Sequence, residues 1–260
     1  MNDLHDEVII SAIEKNLFEF YKLTGKSKFV KFIETNNYSY VKTNPNAWPN
    51  FIFDIKNITD DCSKLTDEIV TEIIENKAPP FLIYKYDNSI NTFEHLLANG
   101  NIRPIIQWAG MACRYDKFNE LKQNEELQIE IINNEQQLID WINIINNEIL
   151  QNKKINRKIF NELILNKKTN LFIGYYKNIP VCTSLAFEEN NTGGLYLIAT
   201  NSNYRNKGFG TQITYATIKY LLSKNNKLIV LQATKSGKKI YSNLGFKEYC
   251  KFNIAWMLGK

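Results

Sequence analysis

The residues best equipped for chemistry run Leu195-Tyr-Leu-Ile-Ala-Thr-Asn-Ser-Asn-Tyr-Arg-Asn-Lys-Gly-Phe-Gly-Thr211. A strand-like run enters a polar turn, then Arg205-x-x-Gly208-x-Gly210, then the apolar periodicity of a helix over Phe209–Leu222. Glycines open backbone dihedrals closed to other residues and let a ligand approach the main chain. The first N–H groups of a helix have no internal partner, and the helix dipole adds positive potential there. With Arg205 and Lys207 beside them, such groups fit a pyrophosphate. A glycine pair at a helix start also fits tight packing with no ligand. Two other phosphate-binding patterns, GxxxxGK[ST] and the three-glycine dinucleotide pattern, do not occur.

A second block lies downstream: Leu231-Gln-Ala-Thr-Lys-Ser-Gly-Lys-Lys-Ile-Tyr-Ser-Asn-Leu-Gly-Phe246. It reads as strand, short helix and turn, with one helix and one strand between it and the first block. In this order and spacing the two blocks resemble the [RQ]-x-x-G-x-[GA] acetyl-CoA motif and the following Y-x-x-L-G-F block of the GNAT superfamily of N-acyltransferases. The resemblance covers residues 128–260, about half the chain.

That resemblance implies an α/β (α+β) fold with a mixed, mostly antiparallel sheet flanked by helices. It implies acetyl-CoA as co-substrate and no metal. The main chain of Ile198, Ala199 and Thr200 would pair with the pantetheine arm where two strands splay apart. Arg205, Asn206, Lys207, Gly208, Phe209, Gly210 and Thr211 would hold the pyrophosphate. Tyr241 matches the tyrosine that protonates the leaving thiolate, and a phenol of pKa about 10 keeps its proton at neutral pH. Tyr241 also fits plain packing on an amphipathic helix. The chain departs from the family at the start of that helix, where many relatives carry Asn. Here the residues are Thr234-Lys235-Ser236-Gly237, with Ser236 or Thr234 as candidate substitutes.

The implied reaction is direct attack of a primary amine, on a small molecule or a peptide or protein, upon the thioester. An ammonium must first lose a proton, so a carboxylate or an ordered water is needed. Glu188 is the leading candidate, with Glu189 and Glu130 behind it, and each also reads as a surface acid. Two other functions stay open: a non-catalytic acyl-CoA-binding scaffold on the same fold, and a nucleic-acid binder using basic surface.

The elements that must position these residues follow from periodicity. Helical spacing covers residues 4–24, 64–76, Thr92–Ala98, Glu135–Leu150 and Lys158–Leu165, with a short helix at Gly237–Asn243. Strand-like runs are Phe29–Ile33, Tyr38–Val41, Phe51–Ile55, Phe81–Tyr86, Ile105–Cys113, Leu127–Ile132, Gly194–Thr200 and Leu228–Ala233. Leu171–Tyr176 and Val181–Phe187 read as a hairpin around Asn178-Ile179-Pro180, and Phe246–Met257 as a final strand or strand pair.

The halves share an order of helix, three strands, helix, strand, helix, strand, as two tandem GNAT-like domains would. The polar stretch Lys117–Glu126 is the best linker, which divides the chain into residues 1–120 and 121–260. The first half lacks the glycine motif. After Phe51–Ile55 it reads Lys56-Asn-Ile-Thr-Asp-Asp-Cys62, with two acids where phosphates would sit. A degenerate GNAT-like domain that walls the acceptor site is one reading. A structural or dimerising domain, giving a homodimer, is the other.

Composition bounds the rest. The chain has 260 residues and a net charge of +5. Residues 1–120 hold 13 Lys+Arg against 17 Asp+Glu, and residues 121–260 hold 19 against 10, so the basic half is the one that suits a polyanionic ligand. The cysteines Cys62, Cys113, Cys182 and Cys250 are widely spaced, which fits a reducing cytoplasm better than a disulfide framework or zinc site. His5 and His95 are the only histidines, and neither sits in a nucleophilic motif. Acids throughout the first twenty residues argue against a secretory signal, and no apolar run has membrane-spanning length.

Overall fold

The computed structural model describes residues 5–43, 47–56, 63–86, 102–150 and 154–257. In the first half these are α1 (Asp6–Gly25), β1 (Lys31–Glu34), β2 (Ser39–Lys42), β3 (Ala47–Trp48), β4 (Phe51–Phe53), α2 (Ser63–Ile74), β5 (Phe81–Tyr86) and β6 (Ile102–Arg114). The second half supplies β7 (Leu127–Ile131), α3 (Glu135–Ile145), β8 (Lys154–Ile155), α4 (Arg157–Ile164), β9 (Thr169–Tyr176) and β10 (Ile179–Glu189). It continues with β11 (Thr192–Thr200), α5 (Phe209–Ser223), β12 (Leu228–Ala233), α6 (Lys238–Asn243) and β13 (Lys247–Met257). The helix expected over Thr92–Ala98, and the residues 57–62 compared with the glycine motif, lie outside the described residues.

Among the described residues one sheet of eleven strands runs β1-β2-β4-β5-β13-β6-β12-β11-β10-β9-β7. Its neighbours are antiparallel except for β4 with β5 and β11 with β12. The expected mixed, mostly antiparallel sheet is thus what the chain forms. Its centre does not follow chain order. β6, from the first half, pairs with β12, as in Leu231↔Met111. β13, from the second half, pairs with β5, as in Ile254↔Ile83. β6 and β13 also pair with each other. Each half therefore completes its parallel pair with the last strand of the other. Long apolar stretches such as Trp108–Cys113 suit a strand covered on both faces.

Two helical layers cover the sheet. α1 carries Ile9, Ile13, Leu17 and Phe20 on one stripe, all buried, with Asp6 and Glu7 suiting the dipole of its first turn. It belongs to the first half but packs onto the second. Phe20 stacks on Tyr196 with centroids 4.2 Å apart. The buried Asn16 donates to the Thr192 carbonyl at 3.1 Å and accepts from the Tyr196 hydroxyl at 2.7 Å. α3 and α4 lie on the same face, where Trp141 and Phe160 join Phe20 and Trp48 in one core. α5 and α6 cover the opposite face with Phe209, Ile213, Leu221 and Tyr241. A third cluster lies between α2 and β2, β4 and β5.

Two local expectations need correction, and a third is narrowed. The helix read over Glu135–Leu150 stops at Ile145 and continues as one π-helical turn, Asn146–Leu150. There Asn146 accepts the Ile155 N–H at 2.8 Å, which ties the helix end to β8. The β9–β10 turn is Lys177-Asn178, with φ of 50° and 64°, while Ile179 and Pro180 already belong to β10. Two consecutive left-handed residues are what a two-residue hairpin of matching twist needs. The C-terminal segment is one strand, with register shifts between Glu248 and Cys250 and between Ile254 and Ala255. The parallel pairing of β3 with β8, Ala47↔Lys154 and Trp48↔Ile155, had no signal in the sequence pattern.

Candidate active site

The sheet opens between β11 and β12. Four rungs join them, Thr192↔Leu228 through Leu195↔Leu231. β11 then runs on through Tyr196–Thr200 and β12 through Gln232 and Ala233 with no further rung. β11 stays with β10 as it leaves, pairing Ala199 with Thr183 and Thr200 with Cys182. The departure starts at a bulge, where Leu197 and Ile198 together face Ser184 and Leu197 takes a φ of 49°. A left-handed leucine is strained, and its surroundings hold it there. The Leu197 carbonyl accepts from Thr183 Oγ1 at 3.2 Å, and the Ser184 carbonyl accepts from the Trp141 indole at 3.3 Å. A bulge leaves ladder groups without a strand partner and turns them outward. Ile198, Ala199 and Thr200 line the opening.

The glycine motif sits at the open end. Asn201–Tyr204 form a short turn in which Asn201 accepts the Asn203 N–H at 3.0 Å. Asn206 and Gly208 both have positive φ, 63° and 78°. Gly208 faces open space, so its lack of a side chain leaves the backbone bare. Gly210 serves differently, since a Cβ there would stand 2.9 Å from Thr200 Oγ1, and it lets α5 press against the end of β11. The first N–H of α5 with an internal acceptor is that of Gln212, to Gly208 at 3.0 Å. The N–H groups of Phe209, Gly210 and Thr211 have no partner among the described residues. Lys207 Nζ lies over the rings of Tyr176 and Tyr204, at 5.4 and 5.7 Å, and Lys177 Nζ over Tyr176 at 5.3 Å. Ammonium groups beside bare N–H groups are an arrangement that attracts anions.

Arg205 is placed otherwise than expected. Its guanidinium bonds Glu148 Oε2 at 2.5 Å and the Thr200 carbonyl at 3.3 Å. Glu148 also accepts the Ser202 N–H at 2.9 Å. The Glu148 side chain is 10% exposed and that of Arg205 55%. Arg205 thus braces the loop, and the unpartnered N–H groups of α5 and the Lys207 ammonium lie apart from that ion pair. Glu148 was unmarked in sequence because it read as one more polar residue of a long helix.

Tyr241 belongs to the same end of the sheet. It is buried on α6, edge-on to Phe246. Its hydroxyl would lie 3.5 Å from a Cβ on Gly237, at the turn that follows β12. Among the described residues that hydroxyl has no hydrogen-bond partner. Burial pushes its pKa up to about 12, so it holds its proton throughout the neutral range. The Thr234 hydroxyl accepts the Gly237 N–H at 3.3 Å and lies 3.0 Å from Ser236 Oγ, which closes the turn that leads into α6.

The carboxylates are elsewhere. Glu188 pairs with Gly193 at the closed end and accepts from Asn226 Nδ2 at 2.8 Å. From Gly193 to Leu197 the strand covers about 13 Å, at ~3.3 Å per residue, so Glu188 is not brought together with Tyr241 and the loop. Glu189 pairs with Lys168. Glu130 bonds Gln128 and Gln137 near the sheet edge. Among the described residues no His/Cys/Asp/Glu group is arranged to hold a metal, and no helix is long and apolar enough to cross a membrane.

The profile of a family described as "Acetyltransferase (GNAT) domain" matches residues 118–252, just over half of the chain's 260 residues. The chain belongs to the GNAT family. Solved structures extend the likeness of fold to the whole molecule. A GCN5-related N-acetyltransferase from Kribbella flavida superposes with a TM-score of 0.69 at 9% identity, over 94% of this chain and 96% of that one. Another from Sphaerobacter thermophilus gives 0.63 at 10% identity, over 94% and 90%. A tandem GNAT protein from the clavulanic acid biosynthesis pathway gives 0.60 at 9% identity, over 84% and 77%. No curated protein matches the sequence. The N-terminal half is thus covered by GNAT-like structures too, and the GNAT glycine motif lies at the splayed pair β11–β12.

Proposed function

We propose that this GNAT protein transfers an acetyl group from acetyl-CoA to a primary amine of a small molecule or peptide. The observation that carries the reading is coincidence in space. The strand gap, the bare N–H groups of α5 and the protonated Tyr241 all meet at one end of the sheet. The pantetheine arm fits the gap as an added strand beside Ile198–Thr200. The N–H groups of Phe209–Thr211, with Lys207, take the pyrophosphate. Bulge N–H groups near Leu197 and Ile198 stabilise the oxyanion that forms when the amine attacks the thioester carbonyl. Tyr241 gives its proton to the sulfur as the C–S bond breaks, and the proton lost by the attacking nitrogen passes through water and restores the phenol.

Direct transfer suits the thiols. Burial pushes Cys113, Cys182 and Cys250 up to about 12, which leaves them unfit as acyl-carrying thiolates at neutral pH. The first half, residues 1–120, serves residues 121–260 as the acceptor-side wall, with α1 and β3 laid on the face opposite α5.

Calorimetry of acetyl-CoA binding tests the proposal, on wild type and on Gly208→Trp. The expected outcome is micromolar binding weakened at least about a hundredfold, because an indole would fill the bare backbone and strain the left-handed φ. Absence of binding to folded wild type would sink the reading.

A further inference from the structure

We infer that Gln232 selects the acceptor, and that the acceptor carries a neutral hydrogen-bond-accepting oxygen on the carbon beside its amine-bearing carbon, as an α-amino amide does. The inference rests on the acetyltransferase reading and deepens it.

Gln232 is the first residue of β12 beyond the last rung to β11, Leu195↔Leu231. Continued one step, that register would set Gln232 against Tyr196. Side chains alternate along a strand. Leu231 and Ala233 point into the core under α5 and α6. Val230 and Tyr196 belong to the core on the α1 face. Gln232 therefore projects on the α1 face, at the edge of the gap and on the side opposite α5. An acyl group threaded from the α5 side meets its acceptor on that face.

The Gln232 amide nitrogen is buried and has no hydrogen-bond partner among the described residues. Its neighbours explain why. Across the ladder stands Gly110. The space a side chain would take there is filled by Cys250 Sγ and the Phe252 ring, 2.5 and 2.9 Å from the notional Cβ. Neither side chain offers an oxygen, and the Cys250 carbonyl, 3.3 Å from the same point, makes no hydrogen bond with the amide. On the other side the hydroxyl of Tyr196 is engaged by Asn16. Trp108, two residues from Gly110 along β6 and so on the same face, adds a half-buried indole. A buried donor without a partner destabilises a fold by about 1–3 kcal/mol. A fold that keeps one beside a strand gap has a use for it, and the use this geometry permits is to hold an oxygen of whatever lies over the gap. A glutamine amide carries no charge, so a carbonyl suits it better than a carboxylate.

Glycinamide and isobutylamine have the same number of heavy atoms but differ in the carbonyl oxygen, in the amide nitrogen and in amine basicity, so kcat/KM is taken per concentration of unprotonated amine and the ratio is compared between wild type and variants. Wild type is expected to acetylate glycinamide with kcat/KM at least about tenfold above isobutylamine, the effect of one well-placed hydrogen bond. In Gln232→Leu the ratio falls to about one, while acetyl-CoA affinity stays within about twofold. Removing the unpartnered amide also raises Tm, by about 2 °C. Gln232→Glu, nearly isosteric and without the donor, lowers the ratio too, and so guards against a packing artefact in the leucine variant. A ratio near one in wild type, a ratio unchanged in both variants, or acetyl-CoA binding with neither amine acetylated would overturn the inference and leave the cofactor site standing. Failure of wild type to bind acetyl-CoA would remove both.

Discussion

At its second parallel pair, β11 and β12 share four rungs before they part; at its first, β4 and β5 share one, Ile52 with Leu82. Both pairs have an antiparallel strand of the other half beside them. Both lead from the first strand toward a helix. What stands at the opening differs. β11 ends in a glycine loop with bare N–H groups and lysines. β4 ends at Asp54, whose φ is 54° and whose carboxylate is bridged by Lys22 and Lys56, each at 3.3 Å. Lys22 also reaches Glu34 at 3.0 Å. One topology thus carries unpartnered N–H groups beside lysines at one end and a self-neutralised carboxylate at the other. The proposed anion site rests on the loop residues and the length of the splayed strand, not on the parallel crossover.

The largest expected effect concerns how far the halves are separable. A chain of residues 121–260 alone would leave β12 without β6, and β13 without either neighbour. Exposed apolar ladder edges of that kind invite aggregation. We expect no cooperative melting from this fragment and no acetyl-CoA binding. A folded fragment that binds acetyl-CoA as the full chain does would show that the exchanged strands are dispensable, and that the contrast between the two pairs lies within independent units.

That exchange marks where the sequence stopped being readable. Strands such as Leu228–Ala233 and Phe81–Tyr86 were legible to the residue, because apolar runs bounded by polar turns encode them locally. Nothing in such a run says which strand lies beside it. β6 and β13 each satisfy a central, two-sided position, and either half could have kept its own. The loop was legible because Gly208 and Gly210 sit at fixed offsets from a helix start. The bulge was not, since Leu197 is an ordinary strand residue whose left-handed φ is imposed by Thr183, Ser184 and Trp141 from other segments. Glu188 misleads for a related reason. Its place on β10 is plain in the sequence, but the end at which the sheet opens is a matter of register. Two-residue strands such as β3 and β8 carry no periodicity to detect.

A second way to sharpen the comparison uses Tyr241, which has no described counterpart at β4–β5. Tyr241→Phe is expected to lower kcat about a hundredfold, with acetyl-CoA affinity within about twofold, since the ring and its packing on Phe246 remain. The pH profile adds a signature. Burial raises the phenol to about 12, so the proton donor is present at every pH below that. The wild-type rate should rise with pH as the amine acceptor deprotonates, with no fall from Tyr241 up to about pH 11. The variant should give a profile of the same shape, displaced downward. Stability has the opposite sign. The folded state keeps the Tyr241 proton between about pH 10 and 12 while the unfolded chain loses it, so stability declines as pH rises through that window. A variant that keeps full kcat would assign Tyr241 to packing alone.

The smallest expected effect bears on the two braces. Glu148→Gln removes the charge that holds Ser202 and Arg205, and Asp54→Asn removes the charge that holds Lys22 and Lys56. At Glu148 two consequences oppose each other. The freed guanidinium of Arg205 could turn to the pyrophosphate, a gain of about 1 kcal/mol or less for a half-exposed pair. The loop loses charge-assisted hydrogen bonds worth about 1.5–3 kcal/mol each, made by a carboxylate that is nearly buried. The loss outweighs the gain, so acetyl-CoA binding should weaken, by at least about tenfold after the partial gain. Asp54→Asn should change that affinity by less than about twofold, because Lys22 keeps Glu34 and no anion site depends on it. Tighter binding in Glu148→Gln would mean that Arg205 is a phosphate ligand held in reserve by Glu148. The π-helical turn that carries Glu148, joined to the first half through β8 and β3, would then restrain cofactor binding from the acceptor side.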